Sequence, residues 1–303
     1  MKAMILAAGL GTRLRPYSES RPKPLFPVLG RPLVLHLLDQ LRNSGCREFV
    51  VNTHFLSEQF EKKLVNEQGV FVQIEKDILG TGGGLRMARS KLGTAPFLAI
   101  NGDILHSLDP AEIYSRHLAS GAPVSLVVHN RPRFNNLRVA PNERVTAFRV
   151  GAGNIDSGRG ERLLAFTGIQ IIDPALLDKI PGGFFDIIDL YRQLVANGTE
   201  INAIEVSGHF WTDIGTLEDY LALHEKLLTY PALIDELGLD VTVNKPVHCT
   251  GDTVLGRSVK FRDWAFVGSG VRIGDNARIS RAVIWDGAIV PAGALIEDEI
   301  VVR

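Results

Sequence analysis

Four cations, Arg13, Arg15, Arg21 and Lys23, fall within eleven residues of one another, and only Glu19 opposes them. So much positive charge on so short a segment suits a small polyanion, above all a run of phosphates. The residues just before suit the same ligand. In Ala8-Gly9-Leu10-Gly11, the two glycines can take positive φ and come close to a ligand. Successive exposed N–H groups there can ring an anion. Pro16, Pro22 and Pro24 forbid a regular helix, so a stiff basic loop is expected. Taken singly, the glycines and charges also fit a tight strand-to-helix turn followed by a solvated loop. The third glycine of a dinucleotide fingerprint is missing, and so is the Gly-Lys-Ser/Thr of a Walker loop.

Two acids could serve such a loop. Asp103 follows the apolar run Phe97–Ile100 and Asn101-Gly102, and Asp213 sits in Trp211-Thr212-Asp213-Ile214-Gly215-Thr216. Mg2+ takes one or two carboxylates plus phosphate oxygens and water, so two distant acids converging on one ion make chemical sense. A lone Asp at a strand end is equally a turn or cap residue. A second glycine run, Leu79-Gly80-Thr81-Gly82-Gly83-Gly84, reads as a loop opening a helix from Leu85, with room for ligand approach. Gln73 or Glu75 is a candidate contact for a base, whereas His54 reads as structural. Neither a nucleophile elbow nor a Cys/His pair with a local signature occurs, so covalent catalysis is not indicated.

These residues need a scaffold, and the pattern supplies one. Apolar runs at Ala3–Leu6, Glu48–Asn52, Val70–Ile74, Phe97–Ile100 and Val124–Val128 alternate with amphipathic stretches. Pro32 suits a first helical position, Ser57 can cap Glu58–Asn66, Asp109 reads as the cap of a helix begun by Pro110, and Thr216 as another cap. The alternation predicts an α/β fold: a Rossmann-like, mostly parallel open sheet flanked by helices, with ligands at the carboxyl ends of its strands. Beyond Tyr230 the pattern changes. Val259, Ala265, Val271, Ala277, Val283, Ile289, Leu295 and Val301 recur every six residues, and Phe261, Val267, Ile273, Ile279 and Trp285 form a second file.

The run Gly9-Leu10-Gly11-Thr12-Arg13-Leu14-Arg15-Pro16, with Ser18 and Pro22-Lys23-Pro24, resembles the signature of the nucleoside-diphosphate-sugar pyrophosphorylases, or sugar-1-phosphate nucleotidyltransferases. The six-residue period resembles a hexapeptide-repeat left-handed parallel β-helix. Together these divide the chain into a nucleotidyltransferase domain (1–228), a linker (229–250) and a short β-helix (251–303). The resemblance implies Mg2+-dependent attack of a sugar-1-phosphate oxygen on the α-phosphorus of a nucleoside triphosphate, releasing pyrophosphate. The nucleophile is already an anion, so catalysis rests on positioning and charge neutralisation.

Residue by residue, the family resemblance gives Arg13 and Lys23 catalytic, phosphate-binding roles. It assigns nucleotide contacts to Leu6, Ala7, Ala8, Gly9, Gly11, Thr12 and Arg13, and to Gly80, Thr81, Gly82 and Gly102. Thr167, Gly168 and Asp186 are the sugar-binding candidates, with a helix cap as the other reading of Asp186. By the same resemblance Asp103 and Asp213 are the Mg2+-ligand candidates. One departure stands out: Val145-Thr146-Ala147-Phe148-Arg149-Val150 lacks the lysine that many members use for the sugar phosphate, leaving Arg149 as the candidate substitute. Val50-Val51-Asn52-Thr53-His54 and the glycine run look like N-acetylmuramate-1-phosphate uridylyltransferases. Trp211–Tyr220 and the tail look like mannose-1-phosphate guanylyltransferases. Base and sugar stay open at this point.

The 303 residues are 45% apolar and 22% charged with a net charge of −1, an ordinary globular composition that argues against nucleic-acid or anionic-membrane binding. No apolar run reaches the length of a membrane span, and Met1-Lys2-Ala3-Met4 enters a strand directly, so a cytoplasmic protein without a signal peptide is expected. Cys46 and Cys249 stand far apart, as in a reduced compartment. The open end of a β-helix leads us to expect a homo-oligomer whose tail serves assembly more than the nucleotide site. The rival class is a non-catalytic exchange-factor-like or sugar-nucleotide-binding protein. Such a relative should have lost phosphate or metal residues, and here Arg13, Lys23, Asp103 and Asp213 are all present.

Overall fold

The computed structural model describes residues 1–149, 160–243 and 245–302. Val150, the last residue of the segment read for a sugar-phosphate lysine, lies outside them. Contacts divide the chain into two compact units interleaved in sequence: Met1–Gly9, Asp39–Gly102 and Leu108–Phe210 in the first, Leu10–Leu38, Asp103–Ser107 and Trp211–Arg303 in the second.

The first unit is built on a nine-stranded sheet. Lys2–Leu6 lies parallel between Glu48–Thr53 and Phe97–Asn101, and Val70–Ile74 continues the parallel set beyond Glu48–Thr53. The expected apolar runs are therefore strands. The sheet is mixed, however, not mostly parallel. Arg162–Ile172 runs antiparallel to Phe97–Asn101 on one side and to Val124–His129 on the other. The physical reason is the connection. Parallel neighbours need a crossover, usually helical, and among the described residues between His129 and Arg162 there is no helix. Helices Ser57–Leu64, Gly80–Met87, Pro110–Ser120 and Ile187–Ala196 accompany the sheet. The core joins Met4, Val50 and Ala99 of the sheet to Leu85, Leu190 and Tyr191 of the helices, all buried.

Local signals held unevenly. Asp109 caps its helix by accepting from the Ala111 N–H, as expected. Ser57 does not cap; it is the first helical residue, after Leu56 in the left-handed region. Pro32 belongs to a short strand pair with Pro27–Val28, and the next helix starts at Leu33.

In the second unit, Ile104–His106 pairs antiparallel with Trp211–Asp213. The helix Leu217–Thr229 follows, and Thr216 caps it by accepting from the Asp219 N–H. The C-terminal residues form two ladders of parallel strands, one running through Val247–Cys249, Lys260–Val267, Arg278–Ile284 and Leu295–Val301. Successive rungs pair Phe261 with Ile279 but Ala265 with Ala282, so the pairing slips by one residue between Arg262 and Ala265. That slip breaks the six-residue period. The interior continues through Ala282, Ile284, Ala288 and Val290, while Ile289 and Leu295 of the expected file are exposed.

Candidate active site

The second unit assembles the candidate chemistry. Asp103 immediately precedes one strand of the 104–106/211–213 pair and Asp213 ends the other, and the Ile214 N–H donates to the Asp103 carbonyl at 2.9 Å. Antiparallel pairing thus brings together two acids that are 110 positions apart in sequence. Burial raises the Asp213 carboxyl above its ordinary value, and the neighbouring Asp103 charge raises it further, while Lys23 and Arg13 pull it down. Lys23 is buried and donates to Asp103 Oδ2 at 2.5 Å. Gly215 keeps this cluster open: a β-carbon there would lie 2.7 Å from Asp213 Oδ2 and 3.1 Å from both terminal nitrogens of Arg13. Arg13, Lys23, Asp103 and Asp213 therefore form one constellation.

The basic segment reaches that constellation through turns. Thr12–Leu14 and Lys23–Leu25 are 3-10 turns, and Tyr17–Ser20 is one turn of α-helix. The prolines thus start or cap short turns rather than keeping the segment irregular: Pro16 and Pro22 are caps and Pro24 is an early helical residue. Gly11 does take the left-handed conformation, at φ 61°, and caps the first turn. Gly9 does not; its φ is ordinary, and a β-carbon there would meet nothing within 4 Å.

The first unit holds the other candidates. Leu6 accepts from the Gly102 N–H at 2.8 Å, and Ala7 donates to Asn52 Oδ1 at 2.9 Å. Asn52 donates in turn to Glu75 Oε1 at 2.7 Å, whose other oxygen accepts from the Leu79 N–H. This buried relay ties the end of the first strand to the glycine run. Those glycines start a helix at Gly80 itself, five residues before the expected Leu85. Their close approach is to the chain itself, both backbone and side chains. The Gly82 and Gly83 N–H groups donate to the Phe185 carbonyl, and Thr81 Oγ1 accepts from the Ile187 N–H.

Gln73 and Glu75, read as possible base contacts, spend their polar atoms inside: Gln73 Nε2 donates to the Gly84 carbonyl. His54 Nδ1 lies 2.9 Å from the Glu75 carbonyl, consistent with its structural reading. Thr167 and Gly168 form an irregularity in the long strand, with Gly168 at φ 82° and the Thr167 hydroxyl donating to the Val127 carbonyl. Asp186 is indeed a helix cap, accepting from the Ile188 N–H, and its other oxygen is ion-paired with Arg149.

Among the described residues, no cluster of three or more His, Cys, Asp or Glu is placed to hold a metal. A pair of carboxylates is nonetheless an adequate protein contribution for Mg2+, which keeps most of its other ligands as water and phosphate oxygens. The hard oxygen donors of Asp103 and Asp213 fit that ion.

Residues 2–148 match the family model described as nucleotidyl transferase. A mannose-1-phosphate guanylyltransferase from Mycobacterium tuberculosis is 30% identical over 97% of this chain and 82% of its own length. The chain belongs to the sugar-1-phosphate nucleotidyltransferases. A UTP–glucose-1-phosphate uridylyltransferase from Synechocystis is 28% identical over 99% of this chain and 87% of its own length. The fold likeness agrees. The HddC crystal structure from Yersinia pseudotuberculosis with GMP-PN superposes with a TM-score of 0.62, covering 75% of this chain and 99% of that one at 23% identity.

For a nucleotidyltransferase of this family, two features escaped the sequence reading. Asn52 and Glu75 carry the relay under the first loop. A polar residue closing Val50-Val51-Asn52 was the available signal, but its partner follows only from strand register. By spacing Trp285 belongs to the second apolar file of the tail, yet it packs against Phe26 with ring centroids 4.8 Å apart.

Proposed function

We propose that this nucleotidyltransferase moves a nucleoside monophosphate from a nucleoside triphosphate to a hexose-1-phosphate and releases pyrophosphate. The first pair proposed is GTP with mannose-1-phosphate, in line with the relative that matches at 30% identity; UTP with glucose-1-phosphate is the second. The observation that carries the reading is the grouping of Arg13, Lys23, Asp103 and Asp213 about the 104–106/211–213 strand pair.

In this reading Arg13 and Lys23 bind the triphosphate and offset the charge that gathers as pyrophosphate leaves. Asp103 and Asp213 would hold Mg2+, which when bound would supply positive charge to offset that of the phosphates. The acceptor phosphate is already ionised, so no side chain has to take a proton from it. Lys23 is held in advance by its ion pair, so little reorganisation is left for the reaction itself. Leu6, Ala7, Ala8, Gly9, Gly11 and Thr12, with Gly80, Thr81, Gly82 and Gly102, are proposed for the nucleotide. Thr167, Gly168 and Asp186 are proposed for the sugar. Arg149, ion-paired with Asp186, is the proposed stand-in for the missing lysine.

The same reading treats residues 1–228 as the catalytic portion, 229–250 as a linker and 251–303, which hold all of the parallel ladders but the strand Val247–Cys249, as a short left-handed β-helix. It also proposes a cytoplasmic homo-oligomer with no nucleic-acid or membrane partner. The outer strand Leu295–Val301 ends its sheet, and Ile289 and Leu295 are about two-thirds exposed, at 69% and 68%. Among the described residues no helix is long and apolar enough to cross a membrane.

The test is a pyrophosphate-release screen of all common nucleoside triphosphates against a panel of sugar-1-phosphates, with Mg2+ and with EDTA. Release from a hexose-1-phosphate pair that EDTA abolishes is expected. No release from any pair would overturn the proposal.

A further inference from the structure

Residues 11–30 rest on the C-terminal strands at successive points, all within the second unit. Tyr17 lies near Ile300 and Glu299. The Arg21 guanidinium lies 4.4 Å above the Trp285 ring. The Phe26 ring meets Trp285 edge-on at 4.8 Å, and a β-carbon on Gly30 would lie 3.2 Å from the Phe266 ring.

Trp285 takes part in two of these four contacts. It is 3% exposed, and its Nε1–H donates to the Tyr220 hydroxyl at 3.1 Å. That hydroxyl donates to the Pro27 carbonyl at 2.5 Å. The side chain therefore touches Arg21, two residues before Lys23, and Phe26, three residues after it. Phe26 also closes the Lys23 turn, its N–H donating to the Lys23 carbonyl at 3.0 Å. Pro22 and Pro24 stiffen the span between, so fixing Arg21 and Phe26 fixes the backbone of Lys23. Had the six-residue period run on without the slip near Arg262, Trp285 would belong to the interior file. The slip leaves Ile284 inside and frees Trp285 to face the loop.

We propose that Trp285 is a positioning residue for nucleotidyl transfer, clamping Arg21 and Phe26 so that Lys23 is held on Asp103. The C-terminal ladder is then part of the active-site scaffold, beyond any service to assembly. This rests on the proposed reaction for its kinetic consequence, but the clamping itself can be read without turnover.

The experiment uses the full chain and four proteins: wild type, Trp285→Leu, Trp285→Phe and Ile279→Ala. Phe keeps a ring for Arg21 and Phe26. Ile279→Ala opens a cavity in the same C-terminal core, away from the loop, and controls for lost stability. Amide hydrogen exchange across residues 11–29 is measured at a temperature where all four are folded, alongside kcat and KM for the nucleoside triphosphate.

Trp285→Leu is expected to speed exchange in 11–29 but not in 2–6. It should also lower kcat about 10- to 100-fold, as displaced catalytic groups do. Trp285→Phe should restore most of both, and Ile279→Ala should leave both near wild type. Unchanged exchange or unchanged kcat in Trp285→Leu overturns the proposal, as does an equal loss in Ile279→Ala. If Trp285→Leu fails to fold, Arg21→Gln carries the same comparison under the same criteria. Faster exchange in a protein whose wild type releases no pyrophosphate would leave the clamp standing and remove the proposed reaction instead.

Discussion

Gly80–Gly84 and Gly9–Gly11 are both small-residue runs leading from a strand toward helical backbone, yet the fold uses them in opposite ways. In the first, a β-carbon on Gly83 would fall 2.4 Å from the Gly183 carbonyl, and one on Gly84 would fall 2.6 Å from Glu75 Oε1. That run is glycine-rich because the chain packs against itself. In the second, Gly9 has open space around it, and Gly11 is needed for a left-handed cap that starts the turn carrying Arg13. A glycine run in sequence therefore reports close backbone approach without saying what approaches. The chemistry has to come from neighbouring charges, and only the second run leads into a cluster of cations, Arg13, Arg15, Arg21 and Lys23.

Substitutions can break or sharpen this contrast. Gly83→Ala should be the most damaging, costing about 3 kcal/mol through overpacking against backbone that cannot yield. Thermal unfolding would show it as a large fall in Tm. A fall in nucleotide affinity with Tm unchanged would reverse the comparison.

Acid should loosen the far end of the basic segment next. The Leu29 N–H donates to His224 Nε2 at 3.3 Å, and the other ring nitrogen lies 3.0 Å from the Tyr220 carbonyl, so the ring must be neutral with its proton on Nδ1. Burial, assisted by the nearby His36, pushes His224 down to about 4 from 6.5. Between those values the unfolded chain binds the proton more readily. The contribution is therefore complete above about pH 6.5 and is lost progressively as pH falls toward 4, by about 2 kcal/mol at pH 5. His224→Gln should flatten part of the Tm–pH curve between 5 and 7, and the buried His106, also pushed to about 4, accounts for a further part.

Gly11→Ala follows, at about 1–2 kcal/mol for a side chain in the left-handed region, with a larger loss in kcat than in stability. Gly9→Ala should leave Tm within about 0.5 kcal/mol of wild type, since nothing crowds it. A raised KM for the nucleoside triphosphate in that variant would identify the approaching group as ligand.

The parallel half of the sheet was legible because buried parallel strands read as continuous apolar runs, as in Ala3-Met4-Ile5-Leu6 and Phe97-Leu98-Ala99-Ile100. The antiparallel strand Arg162–Ile172 was not, since direction follows from the connection and leaves no mark in the strand itself. Asp103 and Asp213 were singled out by their flanking motifs, but their meeting depends on the pairing of Ile104–His106 with Trp211–Asp213. The slip in the C-terminal ladder escaped notice because the expected file stays apolar through it, so that Val283 remains buried while Ile289 and Leu295 do not. Short turns such as Lys23–Leu25 escaped for the converse reason. Proline excludes the helix interior but favours its first positions.

The central claim is that the carboxylates and cations gathered at the 104–106/211–213 strand pair drive nucleotidyl transfer. Asp103→Asn tests it most directly, by pyrophosphate release across a Mg2+ titration with Tm measured in parallel. A loss of about 10²- to 10³-fold in kcat with Tm little changed is expected, as for removal of a group that stabilises transition-state charge. Turnover and Mg2+ dependence equal to wild type in a folded Asp103→Asn protein would contradict it.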